Sequence, residues 1–148
     1  MMNSYLSQMV PQQAEKYGNK IALKYRDYDT DSWISVTWNQ FANKVRQVSN
    51  ALIALGIKEQ ENIGIFSQNK PESLYLDFGA FADRVVTVPL YATSSETQVH
   101  YILEDAEIRF LFVGEQYQYD TAYHVCSQCK GLRQIIIFDP SVTLAPED

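Results

Sequence analysis

The sequence predicts an α/β fold: a mostly parallel sheet with helices on both faces, preceded by an N-terminal helix and a short β-hairpin. Two observations carry this. Four short runs, Ile63 to Phe66, Val85 to Val88, Phe110 to Val113 and Ile135 to Phe138, contain scarcely a polar residue, as strands buried on both faces require. Helical patterns of ten or so residues separate them, which is the alternation that builds right-handed parallel crossovers.

The elements follow in order. Leu6, Met9, Val10, Ala14 and Tyr17 fall at roughly helical spacing and Gly18 closes the run, while Pro11 should kink this helix or start a second one. Ile21 to Arg26 and Trp33 to Val36 are β-prone runs around "DYDTDS", a loop rich in turn-forming side chains, and read as a marginal antiparallel ribbon. "TWNQ" then has the form of a capping box, with Thr37 and Gln40 serving free backbone N–H groups at a helix start. Phe41, Val45, Val48, Leu52 and Leu55 make one apolar stripe, and Gly56 stands where a left-handed residue ends a helix. Between the core strands lie helices over Pro71 to Ala82 (stripe Leu74, Phe78, Phe81), Glu96 to Asp105 (Val99, Ile102, Leu103) and about Gln116 to Lys130. The tail "DPSVTLAPED" ends just past the fourth strand with no helix of its own, so a partner, or chain beyond it, is expected to complete that layer.

Composition narrows the function. A length of 148 residues with 46% hydrophobic and 13% aromatic content suits one self-sufficient domain. The net charge of -6 is dispersed and offers no basic footprint for nucleic acid. The first residues lack the charged and apolar regions of a secretory signal, so a cytoplasmic location is expected. The two cysteines are then expected to be reduced.

Four polar features are candidate sites. In "YATSSETQ" after the second strand, Ser95 and Gln98 form another capping box; the alternative, an anion held at that helix start, has neither a glycine nor a cation in the turn to support it. In "SQNKPE", Ser67 and Asn69 read as caps, with Pro71 in the first turn. Arg84 reads as a solvated residue or an oligomer contact. His124, Cys126 and Cys129 form H-x-C-x-x-C, but His124 lies about 160° around a helix from Cys126, and the only other histidine is His100. We therefore read the cysteines as core residues rather than a redox pair or zinc ligands. No nucleophile elbow, catalytic triad or phosphate loop is present, and the six glycines are scattered singly. The residues themselves point to a sheet domain with no catalytic, cofactor-binding or metal site of its own.

The order of these parts carries a resemblance. Thr37, Trp38, Phe41 and Ala42 match an opening motif, and Val88, Pro89, Leu90 and Tyr91 match a strand running into Val-Pro and an apolar-Tyr pair. With "NKPE", "PLYATSS" and "HYILED", the stretch from Val36 to Val113 resembles the amino-terminal region of the AMP-forming acyl-CoA synthetases, a group within the adenylate-forming superfamily, and is most similar to the long-chain fatty acid–CoA ligases. Arg84 departs from the pattern, which commonly has glycine there.

The resemblance implies that residues 1–148 are the N-terminal part of an AMP-binding (adenylation) domain, with the rest of that domain and the C-terminal domain outside this stretch. It implies a parent ligase using ATP, Mg2+ and CoA, whose partners are a long-chain fatty acid and the rest of its own chain. The family's Ser/Thr/Gly-rich ATP loop ending in Pro-Lys-Gly has no counterpart here, so the segment alone is expected to be inactive and to bind no cofactor. An apolar substrate is compatible with peripheral contact at the inner face of the membrane, and an uncovered fourth strand should make the segment self-associate. Two other readings stay open: a stand-alone non-catalytic α/β module that binds a partner through Ile135 to Phe138 or Pro71 to Ala82, and an adenylation domain for a different carboxylate.

Overall fold

A computed structural model describes residues 5–28 and 30–146. Met1 to Ser4, Asp29 of the expected hairpin loop, and Glu147 and Asp148 of the tail lie outside the described residues. Along the chain the elements are α1 (Leu6–Tyr17), β1 (Ile21–Asp27), β2 (Ser32–Thr37), α2 (Trp38–Ala54), β3 (Asn62–Phe66) and α3 (Pro71–Ala82), then β4 (Val86–Leu90), α4 (Glu96–Asp105), β5 (Phe110–Val113), α5 (Gln116–Cys126) and β6 (Gln134–Ile137). They fall into two units, Met1–Gln60 with Pro71–Val85, and Glu61–Lys70 with Val86–Asp148.

In the first unit β1 and β2 form the expected antiparallel ribbon, with a register shift between Ile21 and Leu23. Pro11 starts no second helix: it sits inside α1, which runs on to Tyr17, and Gly18 at φ +49° donates its N–H to Ala14 O. The Thr37–Gln40 box opens α2 as read: Thr37 Oγ1 accepts from Gln40 N, and Gln40 Oε1 accepts from Thr37 N. Val10, Val36, Phe41, Val45 and Tyr75 make the core, with Phe41 against the rings of Tyr75 and Phe78.

The stripe expected on α3 is corrected. Leu74 is 43% exposed and Phe78 and Phe81 are half-buried, while Tyr75, Leu76, Gly79 and Ala80 are buried. This helix is apolar nearly all round, so periodicity could not choose a face; size did. A Cβ on Gly79 would lie 2.7 Å from Val48 Cγ1, so α2 and α3 touch where the side chain is smallest.

In the second unit four parallel strands lie in the order β4-β3-β5-β6. Successive residues of a strand face opposite sides, and all four of β5 are buried, so the middle of the sheet is covered on both faces. Phe66, Leu111 and Val113 meet Val99, Leu103, Tyr119, Ala122 and Val125 of α4 and α5 in one core. Several boundaries move, and β3 starts at Asn62 rather than Ile63. The strand read as Val85 to Val88 is Val86–Leu90, with Pro89 inside it opposite Ile65; proline is tolerated because β4 is an edge strand. The edge position also leaves Val86 40% exposed, so burial on both faces holds for β3 and β5 and fails for β4 and β6. The strand read as Ile135 to Phe138 is Gln134–Ile137. Finally, α5 ends at Cys126 rather than near Lys130, and a turn carries Cys129 back into the core.

Candidate functional site

In open parallel sheets ligands gather at the carboxyl ends of the strands, where the strand order reverses. Here β3 has β4 on one side and β5 on the other, so the reversal falls between β3 and β5. The residues that follow these strands are Ser67 to Lys70 and Gly114 to Glu115.

This crevice is closed from within. Gly114 N donates to Phe66 O at 3.0 Å, and a Cβ at Gly114 would stand 2.3 Å from Ser67 Oγ and 3.0 Å from Ser67 Cα. The glycine is thus what lets the two turns touch. Ser67 Oγ donates to Gln68 O, a local turn contact in place of the expected cap. Beside it Lys70 Nζ lies 3.2 Å from Glu115 Oε1 and 3.2 Å from Asp139 Oδ2, which ties the ends of β3, β5 and β6 together. Burial alone would depress the Lys70 pKa, but hydrogen bonds and charge from Glu115 and Asp139 outweigh it, and the net shift from 10.5 is upward. Asp139 is held down to about 2, first by the Ser141 hydroxyl and N–H that donate to it, then by Lys70. One cation between two carboxylates has no charge left for a phosphate.

The turn from β4 to α4 is occupied in the same way. Ser95 Oγ accepts from Gln98 N and Gln98 Oε1 accepts from Ser95 N, the expected box. Gln118, 1% exposed, accepts from Glu115 N with Oε1 and donates with Nε2 to Ala92 O, while Tyr117 Oη donates to Ser94 O. The α5 start is pinned to this turn, and the carbonyls that face it are used.

The other candidate residues do not converge. Arg84 is exposed, as read, and pairs with Glu59; its φ is +58°. His124 Nδ1 faces Glu96 Oε1 at 2.9 Å on the surface, whereas Cys129 is buried and its thiol pKa is pushed up by that burial. Among the described residues no group of three or more His, Cys, Asp or Glu could hold a metal ion.

Lys70, Gln118 and Asp139 were missed as a set. Asp139 did carry a signal: Asp-Pro-Ser is a sequence whose aspartate accepts from the backbone two residues on. The tail is also better anchored than the sequence suggested, since Thr143 N donates to Gln116 Oε1, Ala145 N donates to Tyr119 Oη, and Val142 packs on the core.

Residues 10–146 match the AMP-binding enzyme family. The chain is 34% identical over 104 residues to the long-chain-fatty-acid–CoA ligase FadD15 of Mycobacterium bovis, which covers 70% of this chain and 17% of that ligase. It is 39% identical over 83 residues to the long-chain-fatty-acid–CoA ligase 1 of Homo sapiens, or 55% of this chain and 12% of that one. The chain therefore spans under a fifth of the length of these relatives. Its fold is similar to that of a long-chain-fatty-acid-CoA ligase, FadD1, from Archaeoglobus fulgidus, with a TM-score of 0.80 at 17% identity over 94% of this chain and 28% of that one. The anthranilate CoA ligase AuaEII gives 0.81 at 23% identity, over 91% and 25%.

Proposed function

Because the chain belongs to the AMP-binding enzyme family, we propose that it is the N-terminal part of the adenylation domain of a long-chain fatty acid–CoA ligase. The observation that carries this is the 34% identity to a ligase of that name across 70% of the chain.

The parent enzyme would join a fatty carboxylate to ATP as an acyl adenylate with release of pyrophosphate, after which the CoA thiol displaces AMP. Both steps build charge on phosphate oxygens and need fixed donors and a cation, here Mg2+. The residues present do not fit ATP at the place where the sheet would offer it: Lys70 is neutralised by Glu115 and Asp139, and Gly114 is packed against Ser67. The catalytic, nucleotide and metal residues belong outside this stretch in this reading, and the β4 to α4 turn is scaffold. Among the described residues no helix is long and apolar enough to cross a membrane, which is compatible with a cytoplasmic enzyme that meets its apolar substrate peripherally.

Three measurements test the proposal. Reading the coding DNA past codon 148 should reveal an in-frame continuation, and the protein it encodes should convert a long-chain fatty acid, ATP and CoA to acyl-CoA, AMP and pyrophosphate. A stop codon there, or turnover only of some other carboxylate, overturns it. The 148 residues alone should catalyse no ATP–pyrophosphate exchange, and specific exchange by a clean preparation overturns the scaffold assignment.

A further inference from the structure

The chain has two cysteines, Cys126 and Cys129, both free thiols, and the fold treats them differently. The sequence reading puts both in the core. Only Cys129 is there, 5% exposed among the buried residues of α4 and α5. Cys126 is half-buried and lines an open groove of ≈ 370 Å³. One sulfur is thus within reach of a small reagent, and the other is sheltered.

The backbone holds the two together. Where α5 ends at Cys126, Gln128 N donates to Val125 O at 2.9 Å and Cys129 N donates to Cys126 O at 3.1 Å, two successive bonds of the tight, three-residue kind. In such a turn the side chains of residues i and i+3 stand one above the other. A turn closed in this way keeps its end Cα atoms within about 7 Å, which overlaps the roughly 4.4–6.8 Å that a disulfide spans. In the reduced chain Cys126 Sγ donates to Tyr123 O at 3.0 Å, a bond that a disulfide sulfur, having no hydrogen, gives up.

We infer that Cys126 and Cys129 form a reversible disulfide by exchange with a small disulfide of the glutathione class, Cys126 reacting first and Cys129 resolving. The Cys126 thiolate attacks one sulfur of the small disulfide, whose S–S bond breaks to release one thiolate and leave a mixed disulfide. Cys129 then gives up its proton, attacks the Cys126 sulfur and displaces the second small thiolate. Two protein thiols have become one disulfide, the reagent has been reduced to two small thiols, and these carry the protons. Burial pushes the Cys129 thiol pKa up and so favours this order, because a sheltered thiol yields its thiolate reluctantly. The bond itself lies within the stretch Cys126 to Cys129 and draws on nothing beyond residue 148. The inference does not depend on the ligase reading.

The test is thiol exchange on the folded 148-residue chain with oxidised glutathione in excess, read by intact mass after the remaining thiols are alkylated. The parent chain should end lighter by two hydrogens, unalkylated and monomeric, and reduced glutathione should restore both thiols. With two cysteines in the chain, that mass identifies the bond. Cys129→Ala should stop at the mixed disulfide and form it about tenfold faster than Cys126→Ala, whose one thiol is sheltered. In concentrated urea, where neither thiol is sheltered, the two rates should converge. Circular dichroism checks that both variants fold, and the parent chain decides the bond without them. Two thiols that still alkylate under excess oxidised glutathione, a mixed disulfide that persists in the parent chain, or a disulfide-linked dimer overturns the inference. So do equal rates for the two folded variants, since the fold would then set no order between the sulfurs.

Discussion

Arg84 shows how a single residue can be costly where it stands. Its φ of +58° is a conformation that side chains with a Cβ adopt at a cost of about 1 kcal/mol, and glycine adopts freely. Its carbonyl is fixed there by the N–H and side-chain amide of Gln60 at 2.8 and 3.0 Å. The glycine that the resemblance led us to expect here thus has a physical reason, which the backbone supplies and the sequence alone did not. Arg84→Gly removes the strain and loses only an ion pair between two exposed side chains, which contributes little. We expect it to raise the thermal midpoint by a few degrees, while Arg84→Ala leaves it level or lowers it; calorimetry of the pair decides, and a lower midpoint for the glycine variant would show the ion pair to dominate.

Among the elements, the joint between α5 and the β4 to α4 turn rests on one amide. Gln118 satisfies Glu115 N and Ala92 O with its two ends, and at 1% exposure no water can replace it. Gln118→Leu keeps the volume and leaves both backbone groups unpaired, so a loss of about 1–3 kcal/mol is expected in urea unfolding. A change within error would mean that the turn relaxes to reach solvent.

The capped helices α2 and α4 were the most legible elements, because the Thr37–Gln40 and Ser95–Gln98 boxes announce their own geometry locally; the buried face of α3 and the end of α5 were not. The hairpin and the four apolar strands were legible in kind and displaced by a residue or so at their ends, since an apolar run does not say where its pairing stops. Which strands are edges was hidden: strand order is set by contacts distant in sequence, and it decides why Pro89 can sit inside β4. The charged tie was hidden for the same reason, since Lys70 and Asp139 lie 69 positions apart.

For the molecule as a whole, that tie makes part of its stability depend on acid. The Asp139 pKa is about 2 in the folded chain against an ordinary 3.8, so folding favours the ionised carboxylate. Its contribution is complete above about pH 4 and fades as the pH falls through 2. Asp139→Asn should therefore be less stable than the parent chain near neutrality, and the gap should narrow on acidification. Parallel urea titrations across that range measure it, and a gap that stayed constant would show that the Ser141 contacts persist without the charge.

The same tie also bears on the order in which the chain assembles during synthesis. Lys70 leaves the ribosome well before Glu115 and Asp139 exist, and β3, the strand it follows, must wait for β4 and then β5 before it has neighbours on both sides. Pairings of such separation form late, after the loops between them have closed. The first unit's ribbon and its capped helix α2 can form while the middle strand is still unpaired, and the lysine closes on Asp139 only once β6 has arrived. The ion pair is then less a brace than a latch, shut by the last of these four strands to emerge.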